Sequence, residues 1–193
     1  VDSVLFNIWP APKKYYRISI ALAPSNESIL YALSVNQPNG PNLIFPTGDL
    51  FKIELDMSGN KVTELSQNLP SNAANENFGG LNTSGGYNLA LAVKPDDPDF
   101  VLIGGTNAYR SASGFRSKTA TRLLGGFNYR NAPAGSTQGY DGDRSHPDIH
   151  GFIFRPGSSS EMIHFHDGGL SLTTQVSADT VRHQYINTGL QNT

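Results

Sequence analysis

Four of the five histidines fall in one stretch, His146 to Leu170 (HPDIHGFIFRPGSSSEMIHFHDGGL), together with two aspartates. On an extended strand His146, Asp148 and His150 share one face, and His164 and His166 share a face of the next apolar run. Imidazole nitrogens and carboxylate oxygens are ligands for a divalent ion such as zinc, so these five residues form the candidate binding or metal site. The competing reading is a buried polar patch, in which the same groups hydrogen-bond to one another and to loop backbone. Asp167-Gly168-Gly169 reads as a structural turn between two strands, because Asp and Gly tolerate the backbone geometry of a tight hairpin. Asp141 and Asp143 add carboxylates spaced by two, a fragment of a calcium loop that lacks the rest of its pattern.

Composition removes several other chemistries. The absence of cysteine excludes disulfides, thiolate metal sites and thiol nucleophiles. Fourteen basic residues against 16 acidic ones give a net charge of -2. No Lys/Arg cluster is present to neutralise phosphates, so nucleic acid is not an expected partner. No apolar run is long enough to span a membrane. No Gly-x-Ser-x-Gly elbow supports Ser/His/Asp catalysis. The chain opens at Val1 with neither an initiator Met nor a signal-peptide pattern, which is expected of a piece of a longer or processed polypeptide.

The elements that carry these residues are strands. Twenty Gly, 12 Pro, only 16% charged residues and no sustained 3.6-residue period indicate an all-β chain of short strands and turns. Three prolines expose an internal repeat. Before Pro24, Pro95 and Pro156 stand YRISIALA, YNLALAVK and DIHGFIFR. Large residues fall two, four and six places before each proline: Leu22, Ile20, Ile18; Val93, Leu91, Leu89; Phe154, Phe152, His150. Five places before it the residue is small each time, namely Ser19, Ala90 and Gly151. Such alternation is expected of a strand packed on both faces, with the small side pressed close to a neighbour.

After each proline come turn residues and a second apolar strand (Ile29 to Leu33, Phe100 to Ile103, Met162 to Phe165), then a third. The blade-like units span about 15–66, 87–124 and 146–193, joined by long loops at 67–86 and 125–145. An antiparallel unit repeated around an axis is a β-propeller, and a closed ring takes roughly 4–8 blades. Three units therefore make a partial β-propeller, a fragment of a larger one, whose partners include the remaining blades of the same propeller. Loops of this length are where a binding surface is built. Phe78, Tyr87, Phe127, Tyr129 and Tyr140 lie in or beside them, as platforms for sugar rings or as pins that hold the loops down.

The segments YNLALAVKP with LIGGTNAYRS, and HPDIH with FHDGGL, resemble the sialidase-like (BNR or Asp-box) and sortilin-type β-propeller repeats, above all those of large secreted Bacteroidetes proteins with type IX secretion sorting domains. The Asp-box turns are degenerate here, since Ser111 to Phe115 lacks the Asp and Ser171 to Val176 lacks both Asp and Gly. The resemblance implies a bacterial secreted or cell-surface protein that binds a glycan or protein ligand. It also implies an alternative, part of a glycoside hydrolase completed by other blades, and a second alternative, a purely structural segment of a secreted cargo. Glycoside hydrolysis needs two carboxyl groups about 5–10 Å apart. Asp141, Asp143, Asp148 and Asp167 are the acids at hand, and no catalytic pair can be assigned among them. Arg155 occupies the place of Ala23 and Lys94 before the repeat proline and carries no site. No cofactor is expected beyond the divalent metal considered above.

Overall fold

The computed structural model describes residues 15–36, 48–71, 80–126 and 145–189. Within them the chain forms three four-stranded antiparallel sheets, each taken from four strands in chain order. Sheet 1 is β1 (Tyr15–Leu22), β2 (Ile29–Asn36), β3 (Gly48–Glu54) and β4 (Lys61–Glu64). Sheet 2 is β5 (Ala90–Lys94), β6 (Asp97–Gly104), β7 (Ala108–Ser111) and β8 (Thr121–Gly125). Sheet 3 is β9 (Ile149–Phe154), β10 (Met162–His166), β11 (Gly169–Thr173) and β12 (Gln184–Tyr185). Short 3-10 turns are the only helical elements among the described residues, and no helix there is long and apolar enough to cross a membrane.

Each repeat proline ends the first strand of its sheet. The Ala23 N–H returns to the Ile29 carbonyl at 2.8 Å, and the Arg155 N–H to the Glu161 carbonyl at 3.0 Å, so the chain reverses just where proline cannot continue a central strand. In sheet 2 the turn is tighter, because Lys94 already pairs with Asp97. The fourth strands had no clear signature. β4 reads Lys-Val-Thr-Glu and β12 is two residues long, too short for an alternating pattern to register.

The first strands stack on one another, β1 on β5 and β5 on β9, as the innermost strands of successive blades do around a propeller axis. Their large and small faces interlock. Leu89, Leu91 and Val93 share a core with Ala21, Leu33, Val35 and Leu50 of sheet 1. Ala90 and Ala92, on the opposite face of β5, share a second core with Ile149, Phe152, Phe154 and Met162 of sheet 3. Each sheet thus gives its large face to the sheet before it and its small face to the sheet after it. Gly104 sits at the closest approach: a Cβ there would lie 2.6 Å from Ile149 Cγ2 and 2.9 Å from Ala90 Cβ.

The same rule leaves two faces without a neighbouring sheet among the described residues. Ile18, Ile20 and Leu22, the large face of β1, are 40%, 60% and 47% exposed. On sheet 3 the face away from sheet 2 carries Ile153, Ile163, Phe165, Leu170 and Leu172, all short of full burial. Repeat position therefore predicts opposite costs for similar substitutions. Leu89→Ala, at 2% exposure, should cost about 2–5 kcal/mol in chemical denaturation. Ile18→Ala, at the equivalent place in β1, should change stability by no more than about 0.5 kcal/mol.

Candidate functional site

The alternation expected across His146, Asp148 and His150 is broken twice. Asp148 takes a left-handed backbone conformation, φ 64°, which Asp tolerates better than most residues. The register between β9 and β10 then slips: Phe165 pairs with Gly151 but His166 pairs with Ile149, so His150 is the extra residue of a bulge. Ile149, not His150, is the structural counterpart of Ile18 and Leu89. The five expected site residues do not converge; they fall into three places.

Asp148 belongs to the junction between sheets 2 and 3. Its N–H donates to the Thr106 carbonyl at 2.8 Å, its carbonyl accepts from the Asp167 N–H at 3.2 Å, and its carboxylate accepts from the Asn88 amide. The neighbouring Ile149 N–H donates to Gly105 at 2.8 Å. These bonds hold the start of β9 to the β6–β7 turn.

His164, His166 and His146 are buried or half-buried between the sheets, with His183 joining them from beyond β11. Their rings form a row: His146 to His166 at 5.9 Å, His166 to His164 at 5.0 Å, His164 to His183 at 4.8 Å between centroids. His164 Nε2 lies 2.8 Å from Ser145 Oγ, and His166 Nε2 lies 2.7 Å from Ser171 Oγ. His183 Nε2 donates to the Leu124 carbonyl of β8 at 2.7 Å, and His146 Nδ1 to Pro147 at 2.9 Å. Gly125 makes room for this row, since a Cβ there would sit 2.0 Å from Ser145 Oγ. Gly168 makes room at the other end, where a Cβ would meet His146 at 2.7 Å. Of the turn glycines only Gly169 has a positive φ, 106°.

Ring contacts together with serine and carbonyl partners make this row a hydrogen-bonded polar patch. Among the described residues no group of three or more His, Asp or Glu side chains is arranged to hold a metal ion. Burial disfavours the charged form of two of these rings. Burial, with His146 and His183 close by, lowers His166 from 6.5 to about 4, and burial, with His183 and His166, holds His164 well below its usual value. Asp141 and Asp143, with Phe78, Phe127, Tyr129 and Tyr140, lie outside the described residues.

His150 is in a third place, on the surface with the turn aspartate. Its Nε2 lies 2.6 Å from Asp167 Oδ1, the same oxygen that accepts from the Tyr87 hydroxyl at 3.4 Å, and the Tyr87 and His150 rings meet edge to face at 5.0 Å. Tyr87 is 60% exposed. Repulsion from the Asp167 carboxylate raises its hydroxyl above the ordinary value, so the group stays a neutral donor. Arg17 Nη1 donates to the Gly86 and Tyr87 carbonyls at 2.6 and 3.0 Å. All three sheets therefore meet at this end, where the first strands begin and the β6–β7 and β10–β11 turns lie. Asp167 has a role beyond the turn, and Arg17 and His183 went unnoticed in the sequence, the first as an ordinary strand cation and the second as a lone histidine.

At the opposite end a serine hydroxyl caps the turn that follows β7. Ser111 Oγ accepts from the Phe115 N–H at 3.0 Å and the Ser113 N–H at 3.3 Å, while Gly114 and Phe115 take φ of 58° and 60°.

The histidine row predicts acid lability. A histidine whose folded pKa lies below its unfolded value binds protons preferentially in the unfolded chain, so stability is retained above pH 6.5 and lost as pH falls from there towards 4. For His166 alone the loss is on the order of 3 kcal/mol at full extent. Denaturation midpoints measured between pH 7.5 and 4 should fall, and His166→Gln should flatten the dependence.

No family model and no curated protein matches the chain. Among solved structures, the GH74 enzyme of Niastella koreensis is similar over 89% of this chain at 14% identity, with a TM-score of 0.51. The match spans 23% of that enzyme's length. The likeness is one of fold, and it agrees with three blades of a larger propeller.

Proposed function

We propose that the chain is a segment of a larger β-propeller protein, secreted or on a bacterial cell surface, whose blade-start end binds a glycan or protein ligand. Tyr87 carries this reading: a tyrosine with its ring largely in solvent, backed by His150 and Asp167 of the next blade and by Arg17 of the previous one. An aromatic face flanked by fixed polar groups suits a sugar ring, which presents C–H bonds to the ring and hydroxyls to its rim. Sialidase-like or sortilin-type repeats of a type IX secreted protein are the finer form of this reading, supported by the repeat segments and by the serine-capped turn at Ser111.

The similarity to a GH74 enzyme favours the glycoside hydrolase as second reading. Among the described residues, Asp148 and Asp167 both act on Tyr87. Asp148 is committed to Asn88 and Asp167 to His150, so on this reading another blade contributes at least one catalytic carboxylate.

Glycan arrays and surface pull-downs with the folded protein test the binding reading; blank results from both would sink it. With a ligand in hand, Tyr87→Ala should weaken binding by about 1–3 kcal/mol, roughly five- to 150-fold, while Tyr87→Phe should keep most of the affinity. Equal affinity for Tyr87→Ala and the parent would move the site elsewhere.

A further inference from the structure

At the end of the sheets opposite Tyr87, the register of β7 and β8 sets Arg110 directly across from Arg122. Like charges facing each other across a strand pair repel. Arg110 is 6% exposed and its guanidinium donates only to neutral carbonyls, Nη1 to Val176 at 2.5 Å and Nη2 to Ala178. Its buried Nε has no partner. Arg122 likewise spends Nη1 on the Thr119 and Thr121 carbonyls, at 2.6 and 2.9 Å. Neither arginine forms an ion pair among the described residues. Both line a cavity of about 210 Å³ between sheets 2 and 3, walled by Phe100, Ala112 and Ala120 on one side and by Ser177 and Asp179 on the other.

Two guanidinium groups at one cavity, one of them buried, carry more positive charge than the single Asp179 carboxylate on its wall offsets. A buried cation of that kind is costly unless an anion joins it. Asp179 stands on the wall and acts on Arg110 through its field, without a bond. The cavity is smaller than the roughly 300–1,000 Å³ of drug-sized sites, so it admits one acidic group rather than an extended ligand. Charged guanidinium donors and a serine hydroxyl select oxyanions over halides, because several N–H and O–H groups can each find their own acceptor oxygen.

We propose that this cavity is an oxyanion site, binding a carboxylate or sulfate group through Arg122, Arg110 and Ser177. The site is independent of the Tyr87 end and stands whether or not that end binds a ligand.

Titration of the labelled chain with sodium sulfate and with sodium acetate tests it, followed by amide chemical shifts at constant ionic strength against sodium chloride. Saturable shifts at Ala112, Ala120 and Arg122 are expected with at least one of the two anions, and which one saturates identifies the head group. Arg122→Gln, at an exposed position that does not threaten folding, should weaken the saturating anion about tenfold. Asp179→Asn should strengthen it by removing a repelling charge. Shifts that do not saturate with either anion overturn the proposal, as does unchanged affinity in Arg122→Gln or affinity no higher than the parent's in Asp179→Asn.

Discussion

The contact on which the rest of the structure depends is the meeting of a large face with a small one between successive first strands. Sheets packed face to face normally stand about 10 Å apart. The alanines of β5 let Phe152 and Phe154 of β9 fill the space without displacing either backbone, and Ser19 and Ala21 do the same for Leu89, Leu91 and Val93. Close packing of this kind tolerates little error, because protein interiors are as dense as organic crystals. The small residues are therefore as much a part of the core as the large ones, although they bury little surface themselves.

Polar bonds at both ends of each interface fix how the sheets sit once the apolar faces have met. Between sheets 1 and 2, Arg17 reaches Gly86 and Tyr87 at one end, while Asp99 accepts from Lys52 at 3.0 Å at the other. Between sheets 2 and 3, the Asp148 junction and Arg110 do the same work. Apolar contact alone is indifferent to small slides of one sheet over another, whereas directed bonds are not. The candidate binding residues stand at one of these fixed ends, so their relative positions are inherited from blade packing rather than from loop conformation.

The period of the first strands was legible up to the bulge at His150, because packing of a large face on a small one writes itself into residue size at every second position. Pro24, Pro95 and Pro156 marked the repeat for an equally local reason: each ends a strand. The site was less legible, and the bulge at His150 shows why. Alternation assigns faces only while the register holds, and one inserted residue sends His150 to the surface and brings Ile149 inside. His164 and His166, on a strand without an inserted residue of its own, share one face as alternation expects. Tyr87, Asp167 and Arg17 lie far apart in the chain and come together only through blade packing, which no local pattern records.

The two uncovered faces bear on what completes the ring. Large residues at Ile18, Ile20 and Leu22 call for a neighbour with small residues at the facing positions, as Ala90 and Ala92 are for Phe152 and Phe154. A second copy of this chain offers sheet 3 for that role, but Ile153 stands where the other first strands have Ala21 and Ala92, and it would meet a large side chain head on. Overpacking of that kind costs about 1–3 kcal/mol at each site. The face of β1 is thus better matched by a blade of different sequence than by self-association, which agrees with a chain that spans 23% of a structurally similar propeller enzyme.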